Sequence, residues 1–83
     1  MKTEYITFRS VTPAQRGQRV LQRAGVDSLI QRTPRWMAEK GCGYCLRLRP
    51  EELMRAVALL RRENVIFSKV YATVGGNLEE RQL

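Results

Sequence analysis

The chain has no histidine. That removes the Ser-His-Asp and Cys-His arrangements of nucleophilic catalysis, and with them the commonest metal ligand. Cysteine is scarce: two in 83 residues, Cys42 and Cys45. No apolar run approaches the roughly 18 residues that a membrane helix needs, so no membrane contact is expected. The opening stretch, MKTEYITFRS, lacks the apolar segment of a secretory signal. A CxxC pair without such a signal does not read as a structural disulfide framework, and the expected location is the cytoplasm. Acidic residues are also few, eight against fifteen basic ones, leaving a formal net charge of +7.

What is present bounds one small domain. A chain of this length buries only about 60% of its unfolded surface, so the core must be thin. Twelve of the fifteen basic residues are arginine. Guanidinium grips flat anions in a two-pronged way and keeps its charge near neutral pH. Such a surface is either simply well hydrated or made for an anionic partner: nucleic acid, a phosphate-bearing ligand or an acidic protein.

Strand-like and helix-like stretches alternate. EYITFRS puts Ile6 and Phe8 on one side and Tyr5, Thr7 and Arg9 on the other, the period of a strand. TPAQRGQRVLQRAG predicts a helix with Thr12 as cap, Pro13 in the first position and Gln15 closing a capping box. Its inward face is Ala14, Gly17, Leu21 and Ala24, with Val20 beside them, and Gly25 suits a left-handed end. VDSLIQR is a weaker strand of ambiguous parity: Val26 and Ile30 share one side and Leu29 takes the other. TPRWMAEKGCG reads as a loop. YCLRLR alternates Tyr44, Leu46 and Leu48 against Cys45, Arg47 and Arg49.

Pro50 opens a second predicted helix, with Leu53, Ala56, Val57 and Leu60 as its buried stripe. Glu51 and Glu52 suit its positive end rather than acid–base chemistry. VIFSKVYATV is the last strand, and GGNLEERQL reads as a polar tail. The order βαββαβ predicts an α+β, ferredoxin-like sandwich: a four-stranded antiparallel sheet with two helices on one face. Residues 1–74 would form the domain and 75–83 the tail. Thr7, Arg9, Cys45, Arg47 and Arg49 would then line the uncovered face together.

The cysteines sit in EKGCGYCLRLRP. Dithiol oxidoreductases place CxxC at the start of a helix, whose positive end acidifies the first thiol. Here the pair runs into a strand, which argues against that chemistry. Two thiolates are half of a tetrahedral zinc set, and no other Cys or His completes it within one chain; only a zinc bridge between two copies would. No metal or cofactor is therefore expected. Two inert thiols remain one reading. The other is a reactive Cys42: Gly41 and Gly43 keep bulk away from it. Arg35 in the same loop and Arg47 and Arg49 along the strand favour thiolate. Such a sulfur suits attack on another sulfur, or holding a persulfide or selenide. Cys45, three residues on, is near enough to act as a resolving thiol. Trp36 and Met37 serve either as a lid over the sheet edge or as a docking patch for a partner protein. Arg35 either holds an anion or pairs with Glu39.

YITFRSVTPAQRGQRVLQRAGV, RTPR and GCGYCLRLRPEELMRAVALLRRENV together resemble a family of small bacterial selenium/sulfur carrier proteins. The resemblance runs from about Glu4 to Tyr71. Its marks here are Phe8 and Ser10, Thr33 to Arg35, Cys42 with Gly43, and Arg47. It implies that Cys42 carries a persulfide or selenopersulfide, that protein donors and acceptors of sulfur or selenium are the partners, and that the chain is a carrier rather than a stand-alone enzyme. Cys45 departs from the family pattern and points to release of cargo through a disulfide.

Two other classes stay open. One is a basic module that binds nucleic acid or a small anion on the uncovered sheet face. It is the less favoured, because that face offers Tyr5 among arginines rather than the aromatic set of RNA-binding sheets. The other is a regulatory partner that forms a homodimer through its sheet.

Overall fold

A computed structural model describes residues 3–34, 43–74 and 76–81. Strand β1 (Glu4–Phe8) leads into helix α1 (Val11–Arg23), then come strands β2 (Leu29–Arg32) and β3 (Tyr44–Leu48). A single 3-10 turn over Pro50–Glu52 opens helix α2 (Leu53–Arg62), and strands β4 (Val70–Val74) and β5 (Asn77–Arg81) finish the chain. The expected α+β architecture with two helices and an antiparallel sheet is present. The sheet has five strands in the order β2-β3-β1-β4-β5, not four, and every neighbouring pair is antiparallel.

The fifth strand comes from the stretch read as a polar tail. Val74 pairs with Asn77, so β4 and β5 join in a tight hairpin, with Gly76 at φ 87°. Tight hairpin turns need positive φ, which glycine adopts freely. Polar composition hid the strand: Asn77, Glu79, Glu80 and Arg81 are all exposed, and an edge strand carries charged side chains readily.

The core side of the sheet follows the alternation of the sequence. Ile6, Phe8, Leu46 and Leu48 are buried with Leu21, Leu53, Val57 and Leu60 of the helices. The stripe Leu53, Ala56, Val57 and Leu60 is buried as expected, as are Ala14, Gly17 and Leu21 of α1. Ile30 packs inward while Leu29 is 50% exposed, which resolves the parity of β2. Gly17 of α1 lies tightly against both the sheet and α2. A Cβ there would meet Leu60 Cδ2 and Phe8 Cζ at 3.2 Å and Leu46 Cδ1 at 3.4 Å.

Both helices end alike. After Arg23, Gly25 takes φ 78°, its N–H reaches the Gln22 carbonyl at 3.1 Å, and the Val26 N–H reaches Leu21 at 2.8 Å. After Arg62, Asn64 takes φ 59° with matching bonds to Arg61 and Leu60. This is the paired arrangement that satisfies the last helical carbonyls, and Val26 and Val65 are buried beside it. Arginines complete it across the layer. Arg55 of α2 donates to the Ala24 carbonyl at 2.8 Å, and Arg16 of α1 donates to the Glu63 carbonyl at 3.3 Å. Each helix thus lends a cation to the negative end of the other.

Other details depart from expectation. Helix α1 begins at Val11, with Ser10 extended before it (φ −145°, ψ 173°) and no side-chain cap bond, so Thr12 is inside the helix rather than capping it. The second strand is confined to Leu29–Arg32, because Val26 serves the end of α1. The last core strand starts at Val70, not Val65, because Ser68 and Lys69 both bond to Thr7.

Filling the Gly17 contact tests this packing. Gly17→Val should lower unfolding free energy by about 1–3 kcal/mol, the usual cost of overpacking, measured by urea titration. A variant as stable as the parent would show that α1 does not sit this close.

Candidate functional site

Alternation that sends Ile6 and Leu46 inward sends Tyr5, Thr7, Cys45 and Arg47 to the opposite face. The register sets Thr7 opposite Cys45, and Cys45 opposite Gln31; one step along, Tyr5 is opposite Arg47, and Arg47 opposite Leu29. Beyond β1, Tyr5 faces Tyr71, which faces Glu80. Two transverse rows result, and they differ in kind.

The row through Cys45 is closed. Cys45 is a free thiol with 0% exposure and Thr7 has 1%. Ser68 and Lys69 together face Thr7: the Ser68 N–H donates to the Thr7 carbonyl at 2.7 Å, and the Thr7 N–H to the Lys69 carbonyl at 2.8 Å. Two residues opposite one is the arrangement of a β-bulge. The Thr7 hydroxyl fills it, accepting from Lys69 N–H at 3.0 Å and donating to the Lys69 carbonyl at 3.3 Å.

Burial pushes the Cys45 thiol up from its ordinary pKa. The Thr33 hydroxyl, the Gln31 side chain and the Arg47 charge act against that rise but do not overcome it. Thr33 Oγ1 is itself buried, and it makes no hydrogen bond of full geometry with any partner among the described residues. Cys45 is accordingly a neutral thiol at neutral pH.

The row through Arg47 is open. Arg47 is exposed, Leu29 is half exposed, and Tyr5 and Tyr71 are partly exposed. At the β2 end a groove of about 480 Å³ is lined by Thr3, Asp27, Ser28, Leu29, Arg47 and Arg49, among others. Ser28 Oγ is buried without a hydrogen-bond partner among the described residues.

The residues singled out in the sequence therefore separate. Arg47 and Arg49 share the groove. Arg9 is exposed but follows β1 at its far end, beside Gly43, whose missing Cβ would lie 3.9 Å from the Arg9 carbonyl. The ladder between these ends covers five residue pairs, a span of roughly 14 Å. Arg9 and Arg49 thus do not line one spot, and the Thr7–Cys45 row between them is not solvent-exposed. Arg35, Trp36, Gly41 and Cys42, together with Met37 and Glu39, lie outside the described residues. The bond from Thr33 N–H to the Gly43 carbonyl, 3.0 Å, joins the two chain ends that flank them.

Sequence reasoning missed Gln31 and Thr33 beside Cys45, Ser28 in the groove, and Tyr71 opposite Tyr5. For Tyr71 a signal existed, since Val70 and Ala72 alternate with it and are buried. For the others none did, because they depend on where a short strand starts. Among the described residues no group of three or more His, Cys, Asp or Glu could hold a metal ion. No described helix is long and apolar enough to cross a membrane.

A family model described as "Putative Se/S carrier protein-like" matches residues 3–72. No curated protein and no solved structure matches the chain.

The state of Cys45 can be read directly. In a Cys42→Ser background, iodoacetamide at pH 8 should label Cys45 at least about tenfold more slowly in the folded protein than in urea, since the thiolate is the reacting form. Its raised pKa also means that the folded state holds the proton longer than the unfolded state. Stability is then unaffected below the ordinary thiol pKa, near 8.5, and declines as pH rises above it. Cys45→Ala should remove that part of the decline. Equal labelling rates in both states would refute the burial.

Proposed function

Because the chain belongs to the Se/S carrier-like family, we propose that it holds sulfur or selenium on Cys42, as a persulfide or selenopersulfide, and passes it between protein partners. The observation that carries this reading is the family match over residues 3–72, which spans Gly41-Cys42-Gly43. The Cys42 thiolate attacks the outer atom of a donor R–S–SH or R–S–SeH. The donor's S–S or S–Se bond breaks, its electron pair leaves on the donor sulfur as thiolate, and Cys42–S–SH or Cys42–S–SeH forms. Onward transfer repeats the exchange, with the acceptor thiolate attacking and Cys42 leaving. One thiolate is consumed and one released at each step, so no outside oxidant or reductant is needed.

Glycines on either side leave that sulfur unhindered, and cations favour its ionised form. Arg9, exposed beside Gly43, and Arg35 in the same loop sequence are the groups assigned to that task. Cys45 is the second thiol. Its thiolate would attack Cys42 Sγ, expel hydrosulfide or hydroselenide, and close a disulfide that a cellular thiol then reduces. Burial keeps Cys45 protonated, so this internal release is slow beside transfer to a partner. The chemistry suits a reducing compartment, the cytoplasm. The first four strands and both helices are read as a ferredoxin-like unit, with β5 added at one edge.

Intact-mass analysis after exposure to a low-molecular-weight persulfide or selenopersulfide tests the assignment. One added chalcogen atom, removed by dithiothreitol, is expected on the parent chain. It should be absent from Cys42→Ser, and retained for longer in Cys45→Ser. An unmodified parent, or an adduct that persists in Cys42→Ser, would sink the proposal.

A further inference from the structure

The exposed row on the face away from the helices has a composition that sulfur transfer does not use. Tyr5 and Tyr71 are directly opposed across β1 and β4, which brings their side chains to about 5 Å at Cβ. Arg47 is opposite Tyr5 on the other side, one inter-strand step of about 4.8 Å away. Two partly exposed tyrosines and an exposed arginine therefore stand in one line across the sheet. Past Arg47 lies the groove that holds Arg49, Thr3 and Ser28. Arg47 and Arg49 are two residues apart in extended chain, with φ −76° and ψ 145° at Arg49. Their spacing is therefore about 6.8 Å, comparable with that of adjacent phosphates along an extended strand.

From this juxtaposition of Tyr5 and Tyr71 with the Arg47–Arg49 groove, we infer that the open sheet face binds single-stranded nucleic acid. Bases stack on the two tyrosines, and the backbone phosphates lie against Arg47 and Arg49. Single strands fit better than a duplex because stacking requires bases free of partners, and every base has a π-face to offer. The formal net charge of +7 supplies the long-range attraction. The tyrosines favour this occupant over an acidic protein, which would need only the cations. Two carboxylates limit the site. Asp27 lines the groove, and Glu80 closes the far end of the row, where it pairs with Lys69 Nζ at 3.3 Å. The site needs neither cysteine, so it stands or falls apart from the carrier role.

Fluorescence anisotropy with labelled oligonucleotides of about ten residues, within the usual range of single-strand site sizes, provides the test. Single-stranded RNA and single-stranded DNA form two arms; a duplex and polyglutamate serve as competitors. Saturable binding of at least one single strand is expected, weakening as salt rises. A preference for RNA would assign the site to RNA through its 2′-hydroxyl, and equal binding would assign it to single strands in general. Tyr5→Ala or Tyr71→Ala should weaken binding about five- to 150-fold, while Tyr5→Phe and Tyr71→Phe retain it. If the alanine variants fail to fold, Arg47→Gln keeps the test open: it should reduce the slope of log K against log salt by about 0.7, one phosphate contact. Asp27→Asn should tighten binding, and Cys42→Ser should leave it unchanged. The inference is overturned by no saturable binding at low salt, by competition from duplex or polyglutamate as effective as from single strands, or by folded alanine variants or Arg47→Gln that behave like the parent.

Discussion

Pairing β1 with β3 in antiparallel register sets Ile6 opposite Leu46 and Thr7 opposite Cys45. A slip by one residue would exchange the two faces of both strands. The helix side of the pair holds this register through tight packing. Phe8 and Leu46 press against α1 where Gly17 leaves room for them, and Leu60 of α2 meets the same point. Helices, core and the outward row of Tyr5 and Arg47 therefore share one origin. The thin core of a small domain makes this contact count for more, since few other buried residues stand behind it.

Arginine serves several separate purposes in the chain. Arg16 and Arg55 tie the end of each helix to the other, and Arg32 lies over the Tyr44 ring at 5.6 Å. These are structural uses, and they reduce the share of the basic surface left to a ligand. Arg47 and Arg49 gather in one groove, and Arg9 stands at the other end of the ladder beside Gly43. Positive charge is thus divided between two places on the sheet with different neighbours: Tyr5 at one, Gly43 at the other.

Burial sets the chemistry of the one described thiol. Cys45 belongs to the buried row, where desolvation outweighs the pull of Arg47 and keeps the proton on sulfur. A pair that looks symmetrical as CxxC is unequal once the second member is placed in a strand.

Alternation and helical spacing were enough to name most of the core. Ile6 and Phe8, Leu46 and Leu48, and the stripe from Leu53 to Leu60 were all legible, because period and burial are tied locally along the chain. Gly25 was legible for the same reason, as the turn it makes involves only its neighbours. The family was legible from short motifs around Phe8, Cys42 and Arg47. Tertiary structure alone decided what depends on pairing between distant segments. The fifth strand exists because Asn77–Arg81 finds an edge at β4. The bulge at Thr7 exists because Ser68 and Lys69 arrive together. Cys45 gains Thr7 and Gln31 as neighbours, and Tyr71 meets Tyr5, through strands brought together from far along the sequence. A local pattern reports which side of a strand a residue takes; only the completed sheet determines what else occupies that side.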